Sequence, residues 1–213
     1  MSLIVKPSTP NVRGIDTIAR ITYEQALALY ADGFRFAVRY LGHISMAEVI
    51  DITSAKMALL FVAGYSRRPG WVPTASIGAL DGGQAIEHLK ELEAVGTSTY
   101  VDFEGPGEPL GIKQEKLDCL LYGNAAAHAI QQGGSPAGVY IGYGLPFTAI
   151  ELYWSFAFTG YWKSLSMVPD VAVRGYQMIQ HGPANQSVCG LTVDINTIQA
   201  DNKGNVPQWL VQG

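Results

Sequence analysis

The chain has 213 residues, of which 48% are hydrophobic and 15% charged, with a formal net charge of −4 and a pI near 5.5. That balance supports a buried core and excludes a disordered chain, and the length suits one domain over residues 1–213. The 14 Lys and Arg residues are scattered, with only Arg67 and Arg68 adjacent, so the basic footprint of a nucleic-acid binder is missing.

Strand-like and helix-like segments alternate from the start. Residues 12–18 read as a first strand. Thr22-Tyr23-Glu24-Gln25 has the form of a capping box and opens a helix that stops at Gly33. Residues 34–40 alternate and read as a second strand. A helix is expected from about Thr53, with Met57, Leu60, Phe61 and Ala63 on one face and Gly64 as its stop, followed by a short third strand over 65–72. Asp81-Gly82-Gly83-Gln84 is read as the cap of the next helix, which runs to Gly96. Residues 97–104 form strand four, 113–132 a long helix ending at Gly133-Gly134, and 139–143 strand five. Further strands are expected near 160–163, 174–179 and 191–195. The gaps between these last segments are too short for full crossover helices, which need about a dozen residues.

Repeated βα units imply a parallel sheet with right-handed crossovers. Eight strands in about 200 residues imply an α/β fold closed as a single irregular (β/α)8 TIM-like barrel, its helices reduced after strand five. An open doubly wound sheet is disfavoured, because Gly14-Ile15-Asp16-Thr17 after strand one is not a Gly-rich phosphate loop.

Strand four carries the most pointed chemistry. It ends in Asp102-Phe103-Glu104, and side chains at i and i+2 of a strand share a face. The two carboxylates should lie roughly 6–7 Å apart, from the strand rise. Each disfavours the other's negative charge, which sets an acid beside a base or charge stabiliser. Acetal hydrolysis needs that pairing. In a barrel the chemistry gathers at the C-terminal strand ends. There the other strands offer Asp16, then Arg39 and Tyr40, then Tyr140 and Tyr143, Tyr161 and Trp162, Tyr176 and Gln177, and finally Asp194 and Asn196. Strands one and eight are neighbours in a closed barrel, so Asp16 and Asp194 should face the Asp102/Glu104 pair across the mouth.

The segments Gly14-Ile15-Asp16, Phe36 through Leu41, Val101-Asp102-Phe103-Glu104, Gly160-Tyr161-Trp162, Tyr176-Gln177-Met178 and Val193-Asp194-Ile195-Asn196 stand in an order that resembles the family-25 glycoside hydrolases. These are β-1,4-N-acetylmuramidases, or lysozymes. The chain also resembles their glycoside-hydrolase-like TIM-barrel relatives of unknown function, to which residues 52–64 look closer. The resemblance implies Glu104 as general acid on the glycosidic oxygen. It implies Asp102 as the carboxylate that orients the substrate's acetamido group or stabilises the oxocarbenium ion. Asp16 and Asp194 would shape the site and keep Glu104 protonated. One departure is Thr17-Ile18-Ala19-Arg20, where family lysozymes follow the first Asp with Ser and then Gln or Asn.

The remaining residues add less. His43, His88, His128 and His181 share no ligand spacing, so neither a metal nor a cofactor is expected. Cys119 and Cys189 have no metal or redox spacing; Cys119 reads as a buried thiol, and their pairing is left open. Residues 147–158 read as a barrel-packing segment whose Tyr153 or Trp154 lines the cleft. Trp71 is either a stacking platform for sugar or a loop anchor on the rim. Tyr40, Tyr143, Tyr161, Trp162, Tyr176, Gln177, Asn196 and Arg39 complete the expected substrate contacts. The longest apolar run, residues 57–65, is too short to span a bilayer, so no membrane insertion is expected. Residues 1–10 carry no signal-peptide pattern. A monomer made in the cytoplasm, acting on wall glycan after lysis or dedicated export, is the expectation. Three functions fit: a muramidase acting on peptidoglycan, a weakly catalytic glycan-binding barrel, and a hydrolase of another glycan. The paired acid favours an enzyme.

Overall fold

The computed structural model describes residues 2–64, 71–104 and 113–213, the side chains of 113–115 apart. Its elements are β1 (Leu3–Pro7), β2 (Val12–Thr17), α1 (Tyr23–Ala31), β3 (Phe34–Tyr40), α2 (Met46–Ser54), β4 (Ala58–Ala63), α3 (Ala75–Glu91), β5 (Thr99–Phe103), α4 (Lys113–Gln132), β6 (Ala137–Ile141), α5 (Ala149–Trp154), β7 (Gly160–Lys163), β8 (Met178–Val188), β9 (Leu191–Ile198) and β10 (Gln208–Gln212).

Strands β2 to β9 close into an eight-stranded barrel of mixed direction. From β2 through β8 each strand pairs in parallel with the next. Strand β9 then runs back between β8 and β2, antiparallel to both. The period-two alternation of the strands sorts their side chains between two cores. Phe36, Val38, Leu60, Val62, Tyr100, Trp162 and Met178 fill the barrel interior. Ile15, Ala37, Leu59, Phe61, Val101, Phe103 and Val139 face outward onto the helices.

Helices α1, α2, α3 and α5 start on hydroxyl caps. Thr22 and Gln25 form the reciprocal capping box expected of them, and Ser45, Thr74 and Thr148 each accept a backbone N–H of the helix they precede. Helices shrink late in the chain. Only the six-residue α5 lies between β6 and β7, no helix lies between β7 and β8, and β8 turns directly into β9.

Two expectations need correction. Residues 58–63 form strand β4 rather than a helix. The run Ala-Leu-Leu-Phe-Val-Ala is buried on both faces, and a continuous apolar run carries no period to separate the two states. The third strand expected over 65–72 falls mostly on residues 65–70, outside the described residues. Helix α3 begins after Thr74, not at Asp81, which lies buried in mid-helix. Gly78 and Gly82, one turn apart, let α3 approach α4 closely: a Cβ at Gly78 would sit 2.2 Å from the Tyr122 carbonyl oxygen, and one at Gly82 2.6 Å from that of Ala126.

Two strands outside the expected set, β1 and β10, pair antiparallel from Leu3↔Gln212 to Pro7↔Gln208. Strand β10 joins β4 at Leu210↔Leu59 and Ser98 by hydrogen bonds, closing the end of the barrel where the parallel strands begin. Among the described residues no helix is long and apolar enough to cross a membrane. Cys119 and Cys189 are both free thiols.

Candidate functional site

At the end of the barrel where the parallel strands finish lies a cavity of about 640 Å³. Asp16 of β2, Asp102 of β5 and Asp194 of β9 all line it, with Tyr40, Tyr140 and Trp162. Asp16 and Asp194 are register partners across the antiparallel β2–β9 pair, so their side chains leave the sheet side by side. Because β9 runs backwards, Asp194 reaches the mouth from the first half of its strand.

A hydrogen-bond network joins these groups. Gln180 is its hub: its amide nitrogen donates to Asp16 Oδ2 at 3.2 Å and to Asp194 Oδ2 at 3.0 Å, while its oxygen accepts from the Tyr140 hydroxyl at 3.0 Å and the Leu165 N–H at 3.2 Å. Asn196 donates to Asp16 Oδ2 at 2.7 Å and accepts the Trp162 indole N–H at 2.9 Å. On the outer half of β8, residues 182–185 bulge opposite the single residue Asp194, and the Asn185 N–H donates to Asp194 Oδ1 at 2.6 Å.

Burial pushes the Asp16 carboxyl up to about 7; the hydrogen bond from Asn196 opposes this, and the charges of Asp194 and Asp102 add to it. Burial, then the charges of Glu104, Asp16 and Asp102, also raise the Tyr140 phenol, which therefore stays a neutral donor. The site thus holds a carboxyl that is neutral below neutrality among others that line the same space.

Asp102 is almost fully buried on the inner face of β5. Gly64 leaves room beside it, since a Cβ there would meet the Tyr40 ring at 2.9 Å. Glu104 follows directly after β5 and is half-buried. It lies over Gly142, where a Cβ would fall 2.2 Å from its Cγ. It is close enough to Tyr140 for its charge to act on that phenol, and the walls built by described residues include the three Asp residues but not Glu104.

The other expected contacts divide by strand face. Tyr40, Trp162 and Asn196 join the inward set. Arg39, next to Tyr40, points the opposite way. It is fully buried behind the barrel wall, with Nε 2.8 Å from Glu48 of α2 and a further hydrogen bond to the Thr17 carbonyl. Tyr161, beside Trp162, also faces outward and donates to the Leu152 carbonyl at 2.7 Å. Tyr176 donates to the Pro169 carbonyl, and Gln177 donates to Asp201 away from the cavity. Tyr143 is exposed and does not line the cavity. Trp71 packs edge-on against Phe103 and Tyr122 and donates to Asp81, so the rim-anchor alternative describes its contacts. Trp154 points to solvent and Tyr153 packs near Lys203; neither lines the cleft expected for them.

Sequence reasoning missed Gln180, which lies one residue beyond the strand expected over 174–179. Carrying its alternation from Met178 onto the inner face would have found it. It also passed over His43 and His88, which stand in the cavity wall, His88 packed against Gly42. Among the described residues no cluster of His, Cys, Asp and Glu is arranged to hold a metal ion.

Comparison with protein-family profiles and with curated proteins finds no match. Solved structures do resemble the chain. A Tat-secreted protein of Mycobacterium tuberculosis, crystallised with L-tartrate, superposes with a TM-score of 0.65 at 17% identity, over 88% of this chain and 95% of that one. An uncharacterized protein of B. stearothermophilus gives 0.65 at 15% identity, over 88% and 96%. A muramidase from Acremonium alcalophilum gives 0.53 at 9% identity, over 90% and 95%. At these identities the likeness is one of fold, a TIM-like barrel.

Proposed function

We propose that this barrel is a glycoside hydrolase acting on a β-1,4-linked N-acetylated glycan, with peptidoglycan as substrate in the manner of a muramidase. The observation that carries the reading is the convergence of Asp16, Asp102 and Asp194 from three strands on one cavity, with aromatic side chains between them and the charge of Glu104 acting on Tyr140 in its wall. A fold shared with a muramidase is consistent with it.

In this reading protonated Glu104 gives its proton to the glycosidic oxygen as the bond from C1 to that oxygen breaks. Asp102 orients the acetamido group or faces the positive charge that develops at C1. Water then adds at C1 and returns a proton to Glu104. Asp16, neutral below about pH 7, limits the negative charge beside Asp102. Tyr40 supplies a face for a pyranose ring. The protein would act as a monomer, reaching the wall after lysis or through dedicated export.

A weakly catalytic glycan-binding barrel is the second reading. What favours it is the network itself, since Gln180, Asn196 and the Asn185 N–H already occupy oxygens of Asp16 and Asp194. Glu104→Gln separates the two. The amide keeps the size of the side chain but cannot act as an acid, so release of new reducing ends from purified peptidoglycan should fall by about 10²–10⁴ while glycan pull-down persists. Wild-type protein that binds peptidoglycan without cutting it between pH 4 and 8 would favour the binding barrel. Failure to bind it at all would move the substrate to another glycan.

A further inference from the structure

A second cavity, of about 500 Å³, opens beside the β1–β10 ribbon, at the end of the barrel away from the carboxylates. Its chemistry is the reverse of theirs. Lys6, Arg35 and Lys56 line it, and among the described residues no acidic side chain does. None of the three makes an ion pair with any described residue.

Arg35 is held in place. Nη1 of Arg35 donates to the Tyr30 and Phe34 carbonyls, each at 2.8 Å, and the guanidinium lies 4.2 Å from the centre of the Tyr30 ring. Those contacts fix the guanidinium plane and leave its other N–H groups without an acceptor among the described residues. Trp209 also lines the cavity. Its indole N–H is buried and has no acceptor among the described residues. Lys6 is the register partner of Trp209 across the β1–β10 pair, so the ammonium and the indole leave the ribbon on the same face.

We infer that this cavity binds a phosphate group. Three positive side chains with no acidic side chain among them suit an anion, and donors spread around the wall suit a phosphate, whose oxygens point in several directions, better than a planar carboxylate. Arg35 supplies planar paired donors, and Lys6 and Lys56 supply charge. The phosphate is either free inorganic phosphate or a phosphodiester of a larger polymer. The site is independent of the carboxylate cavity and does not depend on what that cavity hydrolyses.

The test is a titration of the 15N-labelled full chain with inorganic phosphate at constant ionic strength, chloride making up the balance. The indole resonance of Trp209, assigned with Trp209→Phe, should shift saturably. Arg35→Gln and the exposed Lys56→Gln should each weaken binding by about tenfold, the scale of one charge-assisted hydrogen bond, while the rest of the spectrum stays dispersed. Dimethyl phosphate separates the sources. Comparable binding would point to a polymer phosphodiester, and binding of the inorganic dianion alone would point to free phosphate. Absence of a saturable shift, wild-type affinity in both variants, or equal competition by acetate would overturn the inference.

Discussion

Asp16→Asn gives the sharpest test of the site's electrostatics. Asp16 rises from an ordinary 3.8 to about 7 in the fold, chiefly because it is buried. The sign follows from proton counting. Between about pH 4 and 7 the unfolded chain has released this proton and the native chain still holds it, so native stability falls as pH rises through that window. A tenfold weaker acid corresponds to about 1.4 kcal/mol, so the cost grows to about 4 kcal/mol and levels off above pH 7. Asn keeps the shape, and its Oδ1 can accept from Asn196 and Gln180 as Asp16 Oδ2 does, but it carries no charge at any pH. The variant should match wild type near pH 4 and exceed it by up to about 4 kcal/mol at pH 8. For a chain of this size that is about 8–16 °C in melting temperature. Urea denaturation of both proteins from pH 4 to 9 measures the difference directly. Parallel stability curves would refute the reasoning, since they would mean that Asp16 ionises as freely in the native chain as in the unfolded one.

The other expectations concern packing around the same scaffold. Gly142→Ala drives a methyl into Glu104 Cγ, so it should reduce glycan hydrolysis at least tenfold while the melting temperature moves little; unchanged turnover would place Glu104 elsewhere. Glu48→Ala strands the buried Arg39 guanidinium and should cost about 3–5 kcal/mol in a denaturation titration, while the affinity of the folded protein for glycan stays the same. Gly78→Ala pushes α3 off α4 against the Tyr122 carbonyl and should cost about 1–3 kcal/mol or more, read in the same titration.

What the sequence revealed follows the physics of each segment. The Thr22 capping box and the helix over 113–132 were legible because caps and long polar–apolar patterns are local. Residues 58–63 were not, because a strand covered on both faces has lost the alternation that identifies it. The shared end of Asp16, Asp102 and Asp194 was legible from their place in the strands. Their neighbours were only half so: Arg39 beside Tyr40 and Tyr161 beside Trp162 are consecutive in strands. Two consecutive strand residues cannot both face the cavity. Gln180 was hidden because an uncharged amide in a strand gives no chemical signal until the carboxylates around it are in place. The reversed direction of β9 was equally hidden, since its tight turn with β8 resembles any short connection.

The β1–β10 ribbon has a practical consequence. It holds Ser2 and Gly213 in hydrogen-bond contact, at the opposite end of the molecule from the carboxylates. A short peptide could therefore join the two ends without crossing the mouth of the barrel. The chain could be circularised, or reopened at an exposed point such as the Lys203-Gly204 turn, with every barrel strand left whole. A domain fused at either end would hang beneath the barrel and leave the mouth open to a long polymer.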